Sequence, residues 1–257
     1  MHDAVTTKDR SPGNALRTVL SSPAPFVALM FVLTTAALAI DQQVNLWGQH
    51  LLGIAGWIVL IGAAVYLSPL ERSRVAVVIV VATIGEVIGS IIWGAYEYRL
   101  GNLPLFVPPG HGLVYLTGLQ ISQLDVVRRH THAFITVVLV ALIGWALWGL
   151  VLADRQDVAG AIGAAFLAAF IIGGRSRLIY AGVFVFVAYL ELYGTWVGTW
   201  TWAETLPGTG IPDGNPPSGI AAGYVLFDIA ALTLAPALLA GVRALRSRLS
   251  SWSSPRG

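Results

Sequence analysis

The sequence predicts an all-α protein, a polytopic membrane bundle of about eight transmembrane helices built from two parallel four-helix repeats. Three observations predict this class. Of the 257 residues, 56% are hydrophobic and only 11% are charged, whereas soluble domains carry about 25% charged residues. The basic residues fall almost entirely on one side of the predicted bundle. Several motifs of the first half recur in the same order in the second half.

Apolar runs predict the individual helices, since a helix that spans the hydrocarbon core needs about 20 apolar residues. The fourth run is short, and the sixth is rich in Gly and Ala, which favours close helix packing. The first run resembles a cleaved signal peptide, but cleavage would delete the first helix of a repeat, so we expect it to be retained. The predicted helices lie near 24–41, 51–68, 75–96, 111–124, 133–153, 158–173, 178–199 and 219–243.

The basic residues predict the orientation. With a cytoplasmic N-terminus, thirteen of the fifteen Lys and Arg residues fall in inner segments, and only Arg99 and Arg155 fall in outer ones. This asymmetry follows the positive-inside rule and requires an even number of spans. We therefore expect a multi-pass protein of the cell membrane with both termini cytoplasmic.

An internal repeat divides the chain. Glu86 and Gly89 recur as Glu191 and Gly194 at an offset of 105, and the motif Arg-Ser-Arg recurs at 72–74 and 175–177. Four spans in each unit make the repeat parallel. The expected divisions are an N-terminal tail (1–23), repeat one (24–124), an inner linker (125–132), repeat two (133–243) and a C-terminal tail (244–257).

Three acidic residues within apolar helices are the candidate catalytic groups: Glu86, Glu191 and Asp228. An ionisable group in hydrocarbon costs at least about 2.5–3.5 kcal/mol, which favours a functional role. Burial favours the neutral acid, and a protonated carboxyl in an apolar site is a good general acid. We expect the three to converge near the middle of the membrane on a cavity that opens toward the outer leaflet. A purely structural role, as hydrogen-bonding groups between helices, is the alternative.

Aromatic side chains follow each glutamate at alternate positions. This spacing does not continue one helix face, so it predicts that each helix ends there in an extended segment. Aromatic faces stabilise cations, which makes these residues candidate substrate contacts; an interfacial aromatic belt is the alternative. The candidates are Trp93, Tyr96 and Tyr98 in the first repeat and Trp196, Trp200 and Trp202 in the second, together with His111 and Asn215.

The loops 99–110 and 203–218 are rich in Pro and Gly and either fold back as lids or form rigid turns. The composition excludes sites that need cysteine, because the chain has none. His130 and His132 lie on the inner side and cannot meet His111 on the outer side, so the histidines do not form a metal site together. The remaining candidate metal ligands are Glu86, Glu191 and Asp228 with His111, and we expect no metal there. The expected partners are the lipid bilayer and a lipophilic small molecule, with no nucleic acid; the oligomeric state stays open.

Two motifs resemble those of the membrane carotenoid hydratases of the bacterioruberin type. The first is Glu86-x-x-Gly89, followed by Gly94, Tyr96 and Tyr98 and then by the dipeptide 107–108; the second comprises Gly198, Trp200 and Trp202, then Gly210, Pro212 and Asn215. The resemblance implies a multi-span enzyme of carotenoid biosynthesis, a lyase that adds water to the terminal double bond of an isoprenoid chain without a cofactor.

Two other functional classes fit the same acids. Parallel repeats and intramembrane carboxyls are also typical of proton-coupled transporters. A non-catalytic subunit of a membrane complex would contain the same helices without needing the two glutamates. Few other polar residues occur in the predicted helices, which favours an enzyme acting on a lipophilic substrate.

Overall fold

Helices make up most of the protein, as the sequence predicts. The computed structural model describes residues 12–253. Every predicted helix has a counterpart among α2–α5 and α7–α10. The helices are α1 (Pro12–Ser21), α2 (Pro23–Asp41), α3 (Leu46–Ala64), α4 (Pro69–Glu86), α5 (Val107–Gln123), α6 (Asp125–Arg129), α7 (Thr131–Val151), α8 (Val158–Gly173), α9 (Arg177–Val197) and α10 (Ala222–Ser253).

Six helical segments within residues 12–253 are long and apolar enough to cross a membrane. They are α2, α3, α7, α9, the combined segment Pro69–Ile92 and the part of α10 up to Leu245. Many of their large apolar side chains face outward, including Val32, Ile58 and Val140. An apolar exterior suits a lipid environment, so the protein is a multi-pass membrane protein. Two further predicted spans, α5 and α8, have only 17 and 16 residues.

Several predicted helix boundaries were wrong, and helices also occur within the predicted tails and linker. The predicted N-terminal tail contains α1, and α10 continues through the predicted C-terminal tail to Ser253; residues 1–11 and 254–257 lie outside the described part. The predicted inner linker contains the short helix α6. Helix α4 begins at Pro69 rather than near 75, because Ser68 and Glu71 form a capping box. Helix α5 begins four residues early, with prolines in its first turn.

Helix α5 lies at the centre of the bundle. It packs against α9, α4, α2 and α3, and more than half of its residues are buried. Helices α4 and α10 also pack closely along each other. Helices α5 and α10 begin at the end of the bundle where α4 and α9 end. Residues near these four helix ends therefore face the same region.

Two three-residue strands follow α4 and α9. They are β1 (Tyr96–Tyr98) and β2 (Trp200–Trp202), and they pair antiparallel with Tyr96 opposite Trp202 and Tyr98 opposite Trp200. The alternating aromatic residues therefore point to one side of the ribbon, and Glu97 and Thr201 point to the other. The prediction that both helices end in extended segments is confirmed.

Arg99 and Arg155 have structural roles beside this ribbon. Arg99 donates from Nη2 to the carbonyl oxygens of Asp41 and Val44, between α2 and α3. Arg155 donates to the carbonyl oxygens of Asp213 and of Trp202 at the end of β2. Each arginine thus ties an interhelical loop to a strand.

Candidate functional site

An apolar cavity of about 550 Å³ lies beneath the ribbon, between α2, α3, α4, α5, α9 and α10. Most of its lining is aliphatic or aromatic, and its polar side chains are concentrated at one end. Ligand cavities of this kind commonly combine an apolar wall with a few convergent polar groups. The polar and aromatic members of the lining are Glu86, Trp93, Tyr96, Tyr98, Phe106, His111, Phe186, Glu191, Trp200, Trp202, Tyr224 and Phe227, with Thr34 on α2.

Glu86 forms hydrogen bonds with three side chains at once. Its Oε2 accepts hydrogen bonds from Tyr96 Oη at 2.6 Å and from Tyr98 Oη at 2.8 Å. Its Oε1 lies 2.8 Å from Nε2 of His111, and Nδ1 of His111 lies 2.8 Å from the hydroxyl of Tyr224. The proton between Oε1 and Nε2 can reside on either atom, and the other imidazole nitrogen then bonds Tyr224 in the matching direction. Glu86, His111 and Tyr224 therefore form a chain along which protons can move.

Glu191 has a different set of partners. Its Oε2 accepts from the indole Nε1 atoms of Trp200 at 2.9 Å and Trp202 at 3.2 Å. Oε1 receives no hydrogen bond from the described residues, although the side chain is 9% exposed and lines the cavity. The indoles fix the orientation of the carboxyl, and the second oxygen is left to interact with whatever occupies the cavity.

The glycine of each Glu-x-x-Gly motif makes room for an aromatic ring. A Cβ atom on Gly89 would lie 3.2 Å from Cε1 of Tyr96, and one on Gly194 would lie 2.1 Å from Cη2 of Trp200. The next glycine, Gly94 or Gly198, turns the chain into the strand with a positive φ. The arrangement in which a ring packs on a glycine and reaches the glutamate therefore depends on the spacing of these three residues. It occurs once in each half of the chain.

A π-helical segment explains a small irregularity between the halves. Glu86 precedes Tyr96 by ten residues, whereas Glu191 precedes Trp200 by nine. The π-helix Val87–Ile92 continues α4, while α9 stays α-helical as far as Val197. A π turn holds one residue more than an α turn and occurs often at functional sites. The π-helical segment accommodates the extra residue, so β1 and β2 lie at the same height above the two glutamates.

Six of the eight candidate substrate contacts line the cavity: Trp93, Tyr96, Tyr98, His111, Trp200 and Trp202. Two do not. Trp196 is 80% exposed on the outer surface of α9. Asn215 is exposed, and its Oδ1 accepts a hydrogen bond from the backbone N–H of Trp202. Asn215 therefore holds β2 in place and does not reach the cavity.

Asp228 does not converge with the two glutamates, so that expectation is wrong. It is buried and accepts a hydrogen bond from Tyr180 Oη at 3.0 Å. Tyr180 precedes Glu191 by eleven residues on α9, which is about 16 Å along the axis. Asp228 follows Tyr224 by four residues on α10, about one helical turn, and does not line the cavity.

The two glutamates also lie closer to the ribbon than expected. Because α4 begins at Pro69, Glu86 is about 26 Å along the helix instead of the 16 Å expected from a later start. The loops do partly cover the cavity, as Phe106 and Leu206 contribute to its lining and Trp93 Nε1 donates to the carbonyl oxygen of Pro207.

Tyr224 is the main residue that the sequence analysis missed. Nothing in the linear pattern connects it with His111. Among the described residues, no group of three or more His, Asp or Glu side chains is arranged to hold a metal ion.

Comparison with protein-family models finds no match for this chain, and neither a search of curated proteins nor one of solved structures returns a match.

Proposed function

We propose that the protein is an integral membrane enzyme that acts on a lipophilic, isoprenoid-like substrate by acid catalysis, hydrating or cyclising an alkene. One observation carries the proposal: Glu86 and Glu191 face the same apolar cavity beneath four aromatic side chains. Protonation of an alkene needs a carboxylic acid in a water-poor site, because water would otherwise level the acid and capture the cation early. The resemblance to the carotenoid hydratases agrees with this chemistry.

Glu191 is the proposed proton donor. With both indoles bonded to Oε2, a proton on the carboxyl resides on Oε1, the atom without a partner among the described residues. Transfer of this proton to one alkene carbon uses the π electron pair to form a C–H bond. A carbocation is left on the neighbouring carbon and a carboxylate on Glu191. The faces of Tyr96, Trp200 and Trp202 stabilise the cation.

Glu86 and His111 complete the reaction as the proposed base. In hydration, a water oxygen forms the C–O bond and its proton passes to the Glu86–His111 pair, which can share it with Tyr224. In cyclisation, a second alkene of the same chain attacks the cation, and the base removes a proton from carbon. Return of the proton to Glu191 through water restores the site, so neither reaction consumes a cofactor.

A proton-coupled transporter is the alternative, and the hydrogen-bonded chain from Glu86 to Tyr224 is the observation in its favour. Transport of a small solute needs a polar path, however, and most of the cavity lining is apolar. A non-catalytic subunit would tolerate the loss of both glutamates. Analysis of the bound lipids and substitution of the two glutamates distinguish the enzyme from the transporter and from the non-catalytic subunit.

We also propose the finer architecture: eight spans including α5 and α8, two parallel repeats, a cell-membrane location and cytoplasmic termini. The repeated Glu-Gly-Gly-aromatic construction supports the repeat. The register of β1 and β2 supports an axis near Glu97 and Thr201, which face each other at the centre of the ribbon. The distribution of basic residues supports the orientation.

The lipids that co-purify with the protein test the function. Mass spectrometry and absorbance of an extract from purified wild-type protein should reveal a prenyl or polyene species, held in the cavity and absent from a mock purification. Glu191→Gln should retain more of the unreacted species, and Glu97→Gln, which alters the opposite face of the ribbon, should match the wild type. An extract without any isoprenoid, together with proton-dependent solute uptake into liposomes, would favour the transporter instead.

A further inference from the structure

The cavity has an opening on the side of the bundle, between α2 and α3. Four residues line the cavity and are nevertheless exposed on these helices: Leu33, Ala36 and Ile40 on α2 and Ala55 on α3. Exposed side chains that also line a cavity are expected where the cavity meets the outer surface, and the sparse packing between α2 and α3 places that edge between these two helices. We call this place, bounded by these four residues, the lateral opening.

The packing of the helices explains the gap. Helices α2 and α3 each pack against α5 but make little contact with each other, whereas α7 and α8 pack closely together. Gly149 on α7 allows a close approach at one end of this pair, since a Cβ atom on it would lie 2.8 Å from Cβ of Asp157 at the start of α8. The helix pair α7–α8 is therefore closed where the pair α2–α3 is open, although the two pairs occupy corresponding positions in the two halves of the chain.

The loop at the ribbon end of α2 and α3 is closed by a polar network. Arg99 binds the Asp41 and Val44 carbonyls, and Gln49 Nε2 donates to Asp41 Oδ1 at 3.0 Å. Asn102 Nδ2 in turn donates to Gln49 Oε1 at 2.8 Å. These contacts hold the helix ends together, so the gap lies along the helices rather than at their ends.

The lateral opening extends along both helices from the end of α2. Ile40 lies next to the last residue of α2, Ala36 precedes that end by five residues, and Ala55 follows the start of α3 by nine, which places the two alanines about 8 and 14 Å inside the bundle end. The four bounding residues are aliphatic, which suits contact with lipid chains rather than with headgroups or water.

We propose that the lateral opening admits one end of a long hydrocarbon chain directly from the bilayer, so that its terminal group reaches Glu86 and Glu191 while the rest stays among the lipids. A cavity of about 550 Å³ has room for one end of a long hydrocarbon chain. The identity of the chain as substrate rests on the proposed function, but the binding itself requires no chemistry.

Photolabelling tests the proposal on the full-length protein in phosphatidylcholine vesicles. The probe is a geranylgeraniol analogue with a diazirine at its terminal end, and labelled peptides are identified by mass spectrometry. Wild-type protein should carry label on cavity residues such as Leu38, Trp200 and Phe227. Absence of label from these peptides would overturn the proposal.

The lack of native cysteine allows a reversible block of the opening. Ala36→Cys or Ala55→Cys, modified with a bulky methanethiosulfonate before reconstitution, should lose cavity labelling and regain it on reduction. Ala39→Cys is the matched control: this residue is exposed on α2 but does not line the cavity, so its modification should have no effect. Recovery on reduction also establishes that the modified protein is folded.

Two results would contradict the proposal. Labelling that persists with both blocked variants would exclude the lateral opening as the route. Labelling lost only when Gly85→Cys is modified would place entry on the α4 side, where Gly85 and Trp93 are the other exposed lining residues. Glu97→Gln, on the opposite face of the ribbon, should label like the wild type. If labelling depends on the opening but no reaction occurs, only the proposed function fails.

Discussion

Nε2 of His111 lies 2.8 Å from Oε1 of Glu86, and the two side chains come from the adjoining helices α5 and α4. Both side chains are largely buried, with 11% and 14% exposure. A pair of this kind is costly to break on one side only, because the remaining partner keeps its desolvation without its hydrogen bond.

The energetic coupling of this pair is measurable. His111→Phe and Glu86→Gln should each lower the free energy of unfolding by about 1–3 kcal/mol, since each leaves buried polar groups unsatisfied. The double variant should lose less than the sum of the two, because the second change removes a partner that is already unpaired. Chemical unfolding in detergent measures all three. His132→Phe, at an exposed position on α7, is the control and should have little effect; strict additivity of the two losses would argue against the coupling.

The packing of Trp200 on Gly194 predicts a strong effect of a single methyl group. Gly194→Ala should destabilise the protein by about 1–3 kcal/mol, because the buried ring must move and overpacking strains the neighbouring side chains. The movement should also lengthen the bond from the indole to Glu191 and change the tryptophan fluorescence. Gly144→Ala is the matched control: no atom lies within 4 Å of the added Cβ, and replacing glycine within a helix favours folding. Equal stabilities for the two variants would refute this account of the motif.

The stability of the protein should depend on pH through Asp213, which lies in the loop between β2 and α10. Burial first, and the neighbouring Asp157 second, raise the pKa of Asp213 to about 7 from its ordinary value of 3.8. A raised pKa in the folded state means that folding favours the protonated acid. Its contribution to stability is therefore complete below about pH 4 and is lost as the pH rises through 7.

Asp213→Asn should remove this dependence. Thermal unfolding at pH 5 and pH 8 should show a smaller loss of stability at the higher pH in the variant than in the wild type. Glu97→Gln, on the exposed face of the ribbon, should leave the profile unchanged. A variant profile that still falls between pH 5 and pH 8 as steeply as that of the wild type would assign the dependence to another group.

The orientation of the chain is open to a direct test. Thirteen of fifteen basic residues lie on one side of the proposed topology, so tags on both termini should be protected from added protease or label in intact cells and accessible after lysis. A tag placed in the loop after β2, near Thr209, should be accessible in intact cells. Exposure of the C-terminal tag outside the cell would imply an odd number of spans and would exclude the eight-span arrangement.

Residue patterns within single segments predicted much of the fold and part of the site. The alternating aromatic residues indicated the strands, because an i, i+2 spacing fits extended backbone and no helix face. The motif around Glu86 and Gly89 indicated that both halves share one construction. These features depend on local geometry, which the order of residues determines directly.

Contacts between helices were beyond this kind of prediction. Tyr224 meets His111 only because α10 and α5 begin at the same level, and Asp228 bonds Tyr180 because the rotation of α10 turns it away from the cavity. Trp196, like Trp200, is a tryptophan that follows Glu191 in the sequence, but it lies on the outward face of α9. The rotation of a helix about its axis and its height in the bundle depend on how the helices pack. In a sequence that is apolar on every face, no periodic pattern predicts either of them.

Deuterium transfer tests the central claim most directly. Purified protein is reconstituted with the total lipid extract of its source cells and incubated in D₂O, and carbon-bound deuterium in the lipids is measured by mass spectrometry. Wild-type protein is expected to deuterate at least one isoprenoid lipid, with the mass of one water added if the reaction is hydration. Glu191→Gln should abolish this incorporation, and Glu97→Gln should preserve it. Absence of carbon-bound deuterium with wild-type protein, or equal incorporation by Glu86→Gln, Glu191→Gln and wild type, would contradict acid catalysis at this site.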